Sequence, residues 1–205
     1  MKVMVRLVLC LIVTGLVASC SSGPSKTIEN LKTAYNGEST ASAKYAAFAQ
    51  KAETEGFDTI AVMFRATSKS EAIHAGNHKR VLENLGVETG DPVIEHFEVL
   101  STAENLASGI KGESYEIDEM YPGFIATAEK EEITDAIESF TYAIDTEKKH
   151  KAFYESALEL VKEGSEVSVP VKWFVCPVCG NTYDEATLTD DCEFCQTPKS
   201  AYFVF

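Results

Sequence analysis

Glu71 and His74 in "SKSEAIHAGNH" stand three residues apart, and Glu147 and His150 in "DTEKKHKAFYE" repeat the spacing. On a helix, a carboxylate and an imidazole at that separation share a face and can hold one cation between them. One such pair carries little weight, because Glu and His are common on solvated helix faces. The two pairs gain weight from an internal repeat. "ENL" at 29–31 and "GES" at 37–39 return as "ENL" at 104–106 and "GES" at 112–114, an offset of 75, and the Glu-x-x-His pairs return at 76. The chain reads as a duplicated helical hairpin with one extra residue in the second copy.

Four long helices must position these pairs. The first runs from about Thr27 to Glu55 and stops at Gly56; the second starts after Asp58, an expected N-cap, and stops at Gly86. After a connection of about fifteen residues containing Gly90 and Pro92, "STAE" at 101–104 forms a capping box that opens the third. Pro122 and Gly123 interrupt that helix. The fourth starts near Glu131 or Glu132 and fades at Gly164. Short links within pairs and a long one between them predict an all-α, four-helix bundle with one long crossover.

Each helix brings a glutamate to the middle of an otherwise apolar stripe. The second stripe is Ile60, Phe64, Thr67, Glu71, His74, His78, Val81 and Leu85, in steps of three and four. The first centres on Glu38, the third on Glu113 within Leu106, Ile110, Ile117, Met120 and Phe124, and the fourth on Glu147 after Ile133, Ile137, Phe140 and Ile144. Buried, unpaired carboxylates cost several kcal/mol each, so four of them need cations. No Lys or Arg lies mid-stripe. A glutamate from each of two helices with Glu-x-x-His from each of the others is the ligand set of carboxylate-bridged di-iron and di-manganese bundles. Hard oxygen donors with two imidazoles suit Fe or Mn.

Several neighbours could join this site. Glu116, three residues after Glu113 and without a counterpart in the first repeat, offers a fifth carboxylate. His78 shares the stripe, but its counterpart is Tyr154, which makes it a core histidine or a partner of a ligand. Tyr45 and Tyr121 follow Glu38 and Glu113 by seven and eight residues and are either aromatic core or hydrogen-bond donors to a ligand carboxylate. The extra residue lies inside the third helix, because "FAQKAETE" aligns with "FIATAEKE" at the later offset of 76. An insertion within a helix predicts a π-type turn between Ser114 and Phe124, beside Glu116.

The C-terminal segment 173–205 contains Cys176-x-x-Cys179 and Cys192-x-x-Cys195. Four thiolates on two such knuckles make a tetrahedral site for Fe or Zn, with two disulfides as the weaker alternative. Trp173, Tyr183, Phe194, Tyr202 and Phe203 are the expected aromatic core. At the other end, "MKVMVRLVLCLIVTGLVASCSS" has basic residues at Lys2 and Arg6, then an apolar run, then small residues before Cys20. This resembles a bacterial lipoprotein signal, with cleavage after residue 19, lipid on Cys20 and a tether to residue 25. The alternatives are an ordinary secretory signal, or a hydrophobic extension from a misplaced start on a cytoplasmic protein. Removing residues 1–19 takes away two cations and no acids, so the formal charge goes from −14 to −16. Such acidity argues against a nucleic-acid partner.

The bundle at 26–164, the linker at 165–172 and the cysteine module together resemble rubrerythrins, a non-haem iron peroxidase family. The resemblance rests on Glu38, Glu71-x-x-His74, "GESYE", "MYP", Glu147-x-x-His150 and "CPVCG…CEFC". It implies a ferritin-like bundle whose di-iron ligands are Glu38, Glu71, His74, Glu113, Glu116, Glu147 and His150, with Glu116 and His74 exchanging on one iron as its redox state changes. It also implies a rubredoxin-like FeS4 site on Cys176, Cys179, Cys192 and Cys195, and homodimers in which that site serves the partner's di-iron centre. Hydrogen peroxide would be the substrate and an unidentified donor would supply electrons. Gln196, where the family usually has glycine, and the leader, since members are generally cytosolic, are departures. The rival readings are a ferritin-type iron oxidation and storage protein, and a non-catalytic module with a zinc-filled ribbon.

Overall fold

A computed structural model describes residues 25–164 and 168–205. The leader, Cys20 and the tether before Ser25 lie outside the described residues, as do residues 165–167 of the linker. Helix α1 (Ser25–Glu55) packs along α2 (Asp58–Asn84), and α3 (Thr102–Tyr115), continued by α4 (Tyr121–Lys130), packs along α5 (Thr134–Lys162). No described helix is long and apolar enough to cross a membrane.

Local chemistry explains the helix ends. Gly56 and Gly86 take φ of +83° and +77°, and the amides of Phe57 and Val87 reach back to Ala52 and Leu82 in Schellman closures. Asp58 is the first helical residue, not the N-cap, which is Phe57 with no side-chain bond; it is an acid in the first turn, where the helix dipole favours negative charge. The Ser101–Glu104 capping box is present in both directions. The last helix begins later than its acidic start suggests. Glu132 has φ of +58° and the Ile133 amide bonds to Ala128, so Glu131 and Glu132 close α4 before α5 opens at Thr134.

The predicted π turn is present over Glu116–Met120, where the Tyr121 amide donates to the Glu116 carbonyl five residues back. Pro122 follows directly and has no amide hydrogen to give, so the change of register falls where a helical bond is missing anyway. The turn also moves the inward face. The stripe expected through Ile117, Met120 and Phe124 is only half-buried, while Tyr121 and Ala128 are buried.

Two apolar clusters fill the bundle. One is built around Tyr45, Phe48, Phe64 and Tyr154, the other around Leu82, Tyr121 and Phe140. The mid-helix carboxylates lie between them. The cysteine module is a three-stranded antiparallel sheet of β1 (Trp173–Val175), β2 (Thr182–Asp184) and β3 (Phe203–Val204), in the order β2-β1-β3. Its core differs from expectation. Tyr183 and Tyr202 stack at 5.7 Å beside the cysteines, but Phe203 is 40 % exposed beneath the Lys69 ammonium. Trp173 packs edge-on against Phe153 of α5 at 4.6 Å and so joins the module to the bundle. Phe174 and Tyr142, absent from the expected set, flank the cysteine cluster.

Gln196 adopts the left-handed conformation, φ +61°, that Gly180 adopts at +82° in the first knuckle. Its Nε2 donates to the Cys192 carbonyl at 3.1 Å. The conformation costs a side chain about 1–2 kcal/mol, and the bond returns about 0.5–1.5 kcal/mol. Gln196→Gly is therefore expected to stabilise the module by about 0.5 kcal/mol, the difference of the two central values. Slower loss of its metal to a chelator would show this; faster loss would mean that the Nε2 bond outweighs the strain.

Candidate metal centres

The mid-helix residues converge as two adjoining groups, Glu38–Glu71–His74–Glu147 and Glu71–Glu113–Glu147–His150, the ligand atoms of each lying within 4.8 Å of one another. All six residues are at most 1 % exposed. Glu71 and Glu147 belong to both groups. His74 Nδ1 lies 3.0 Å from Glu71 Oε2 and 2.9 Å from Glu147 Oε1, and His150 Nδ1 lies 3.0 Å from Glu71 Oε1 and 2.7 Å from Glu147 Oε2. Yet His150 Nδ1, Glu71 Oε1 and both Glu147 oxygens have no hydrogen-bond partner, so most of these close contacts lack hydrogen-bond geometry. Glu38 Oε2 is likewise unpartnered. Donor atoms that crowd together without bonding one another fit a shared pair of cations.

The electrostatics make the same demand. Burial pushes the Glu38 and Glu113 carboxyls well above their ordinary value, and the surrounding carboxylates push further. Burial works against charge on the two imidazoles, but Glu147 and Glu71 hold His74 well above its ordinary value, and Glu71 and Glu147 hold His150 at about 9. Burial would raise Glu71 too, but His150 and His74 draw it down to about 2. The cluster keeps its carboxylates charged only where positive charge sits between them.

The tyrosines left open by the sequence are both buried hydrogen-bond donors, and they cross over. Tyr45 of α1 donates to Glu113 Oε1, and Tyr121 of α4 donates to Glu38 Oε1. His78 is not in either group. Its Nε2 lies 3.2 Å from the Tyr121 hydroxyl and its Nδ1 2.8 Å from Ser139 Oγ, and burial, then His74, lower it to about 3, which keeps it neutral. Glu116 also stands outside both groups. It is half-buried on the first residue of the π turn, and burial, followed by Glu147 and Glu71, raises it to about 8 against the pull of Lys44.

The four late cysteines are free thiols, and their sulfurs converge within 4.8 Å. The closest pairs are Cys176–Cys195 at 3.4 Å and Cys179–Cys192 at 3.5 Å, too long for an S–S bond of about 2.05 Å, so the disulfide reading fails. The pairs run across the two knuckles, the arrangement a tetrathiolate metal site needs.

The cysteine module is seated against the bundle site. Ser70 Oγ donates to the Gly180 carbonyl at 2.7 Å, Asn77 Nδ2 to the Val178 carbonyl at 2.9 Å and Lys149 Nζ to Asn181 Oδ1 at 2.8 Å. His150 Nε2 lies 3.0 Å from Thr182 Oγ1, which fixes the ring on the side away from its ligating nitrogen. A Cβ at Gly180 would lie 2.5 Å from His74 Nε2, so backbone of the first knuckle touches that imidazole. Sequence reasoning missed Ser70, Asn77 and Thr182, because their role exists only at this contact; Gly180 was visible as a knuckle glycine but not as a docking residue.

A four-helix bundle with two adjoining carboxylate–imidazole sites, joined to a tetrathiolate ribbon, defines a class: ferritin-like di-iron proteins carrying a rubredoxin-like domain. The rubrerythrin family model matches residues 29–158, and the chain belongs to the rubrerythrin family. It is 32 % identical to rubrerythrin-2 of Clostridium acetobutylicum over 179 residues, 87 % of this chain and 96 % of that one. It is 33 % identical to nigerythrin of Nitratidesulfovibrio vulgaris over 193 residues, 93 % of this chain and 92 % of that one. The solved structure of fully reduced, all-ferrous nigerythrin superposes with a TM-score of 0.79 at 31 % identity, covering 99 % of this chain and 100 % of that chain. An open-pore ferritin from Archaeoglobus fulgidus, at 14 % identity and a TM-score of 0.61 over 69 % of this chain, shares the fold. The donor sets are consistent with iron in both sites.

Proposed function

We propose that this chain reduces hydrogen peroxide to water at the bundle site, with electrons supplied through the cysteine module. The observation that carries the reading is the close approach of Gly180, the residue after Cys179, to His74 and Ser70, which sets a tetrathiolate site against a buried two-metal site. An iron-storage bundle has no use for that contact. Glu71 and Glu147 would hold both irons, Glu38 and His74 one, and Glu113 and His150 the other; bound there, the irons supply the two electrons that O–O cleavage needs. The protein's part is to place the carboxylates, exclude water and deliver protons. Tyr45 and Tyr121 each occupy one oxygen of a terminal carboxylate, which fixes how Glu113 and Glu38 present the other. Glu116 and His74 would exchange on one iron, as the resemblance implies; His74 belongs to one of the two ligand groups and Glu116 to neither.

Complementation tests both the electron route and whose module provides it. Neither Cys179→Ser nor Glu147→Ala chains should turn over peroxide with an external donor, although the first should keep two irons in the bundle. If mixed dimers of the two variants regain turnover, modules are exchanged between subunits, as the resemblance implies. If they stay inactive, each module serves the bundle it is seated on here. Undiminished turnover by Cys179→Ser alone would sink the electron route.

The mature protein is proposed to sit on the bacterial envelope through lipid at Cys20, on the strength of "LVASC". Cys20→Ala is expected to leave an unprocessed precursor with a normally folded bundle. A mature N-terminus mapped elsewhere would exclude this.

A further inference from the structure

Between the bundle site and the surface runs a chain of hydrogen-bonding groups that the ligand set does not account for. Tyr121 has a single hydroxyl proton and gives it to Glu38 Oε1. At the 3.2 Å contact with neutral His78, Nε2 must then be the donor and the tyrosine oxygen the acceptor. His78 Nδ1 is left as an acceptor, and Ser139 Oγ, 2.8 Å away, donates to it. Ser139, 4 % exposed, lines a cavity of about 260 Å³ whose walls include Asp135, Glu138 and Arg80. Every link points the same way, from the cavity to Glu38.

We propose that Ser139, His78 and Tyr121 form a proton-delivery chain from this cavity to Glu38 at the di-iron site. The proposal rests on the reading of the site as a peroxide reductase. That reaction breaks one O–O bond, takes two electrons from the reduced irons and takes two protons from solvent to form two waters. For each proton, Tyr121 gives its hydroxyl hydrogen to Glu38 and takes one from His78 Nε2. His78 takes one at Nδ1 from Ser139, and cavity water reprotonates the serine. Glu38 passes the proton to the reacting oxygen. A half-turn of the imidazole and rotation of the hydroxyls restore the starting polarity.

The duplicated half provides an internal contrast. Tyr45 meets Glu113 as Tyr121 meets Glu38, but the repeat counterpart of His78 is Tyr154. Tyr154 donates to Thr67 Oγ1 at 2.8 Å, and Thr67 donates to the Phe64 carbonyl at 3.2 Å. That path points away from the site and ends on buried backbone. The half with a histidine reaches the cavity lined by Ser139, and this path does not. His78 touches no substrate or iron and acts through Tyr121.

The test uses full-length, iron-loaded protein, chemically reduced and mixed once with hydrogen peroxide in H2O and in D2O. Wild type should oxidise with a solvent isotope effect. His78→Phe, with iron content and visible spectrum unchanged, should oxidise about a hundredfold or more slowly, the scale of lost proton transfer. Ser139→Ala breaks the outer link without touching the inner ones and should slow the reaction in the same sense, which keeps the test open if His78→Phe loses iron. Oxidation as fast as wild type in either iron-replete variant overturns the chain. The second readout is independent of activity. Nitrogen NMR of the full chain with zinc in place of iron should show His78 protonated at Nε2 and bare at Nδ1; the opposite tautomer reverses the polarity and overturns the proposal. A wild type that peroxide does not oxidise sinks the peroxidase reading instead, and the tautomer still decides the chain.

Discussion

Glu147→Ala is expected to abolish iron binding in the bundle while leaving the tetrathiolate iron in place. Glu147 is a member of both ligand groups and approaches both imidazoles, so its loss strips each site at once. Changing a residue one layer outside a metal site already costs about 10–100-fold in affinity, and a shared ligand should cost more. The bundle should stay helical, since two apolar clusters flank the site and neither depends on this side chain. Metal analysis of the purified variant should therefore give one iron per chain where the wild type gives three, and peroxide turnover should vanish. Three irons in the variant would mean that Glu147 is not shared.

The second large effect is expected from deleting one residue of the π turn, for instance Asp118. The first repeat runs Glu38 to Tyr45 in seven residues, and the second runs Glu113 to Tyr121 in eight. Deletion makes the two halves equal and permits unbroken α-helical bonding. Glu113 and Tyr121 then keep their places, because each already occupies the position of its counterpart. Glu116 does not, since it sits on the first residue of the turn. The variant should bind iron normally yet lose roughly a hundredfold in turnover, the scale expected when a group near the chemistry is misplaced by about 1 Å. Full turnover with the turn removed would leave Glu116 without a role in the reaction.

Much of this protein is legible in its residues because its chemistry is carried by spacing along helices. The two Glu-x-x-His pairs, the mid-stripe glutamates at 38 and 113 and the double Cys-x-x-Cys define which residues can meet a metal, since helical periodicity alone puts them on inward faces. The π turn was legible too, through a one-residue slip between two copies of a repeat. Two local patterns are overruled by their neighbours. Glu131 and Glu132 look like a helix start, yet the left-handed closure of α4 claims them. Phe203 looks like core, yet its strand lies at the edge of a three-stranded sheet and turns it outward.

Spacing along the chain suffices for the four-helix pattern, the six residues that converge in two groups and the tetrathiolate set. The packing of the helices on one another makes Glu71 and Glu147 the shared pair, crosses Tyr45 and Tyr121 to the other half's glutamate, and leaves Glu116 aside. Tertiary packing alone joins His78 to Ser139 and seats Gly180 on His74. The physical reason is that periodicity along one helix says which face a side chain takes, but not which residue of another helix faces it. Those partners are set by how the rods are rotated and how far each slides past its neighbour, and that is fixed by packing of the whole core.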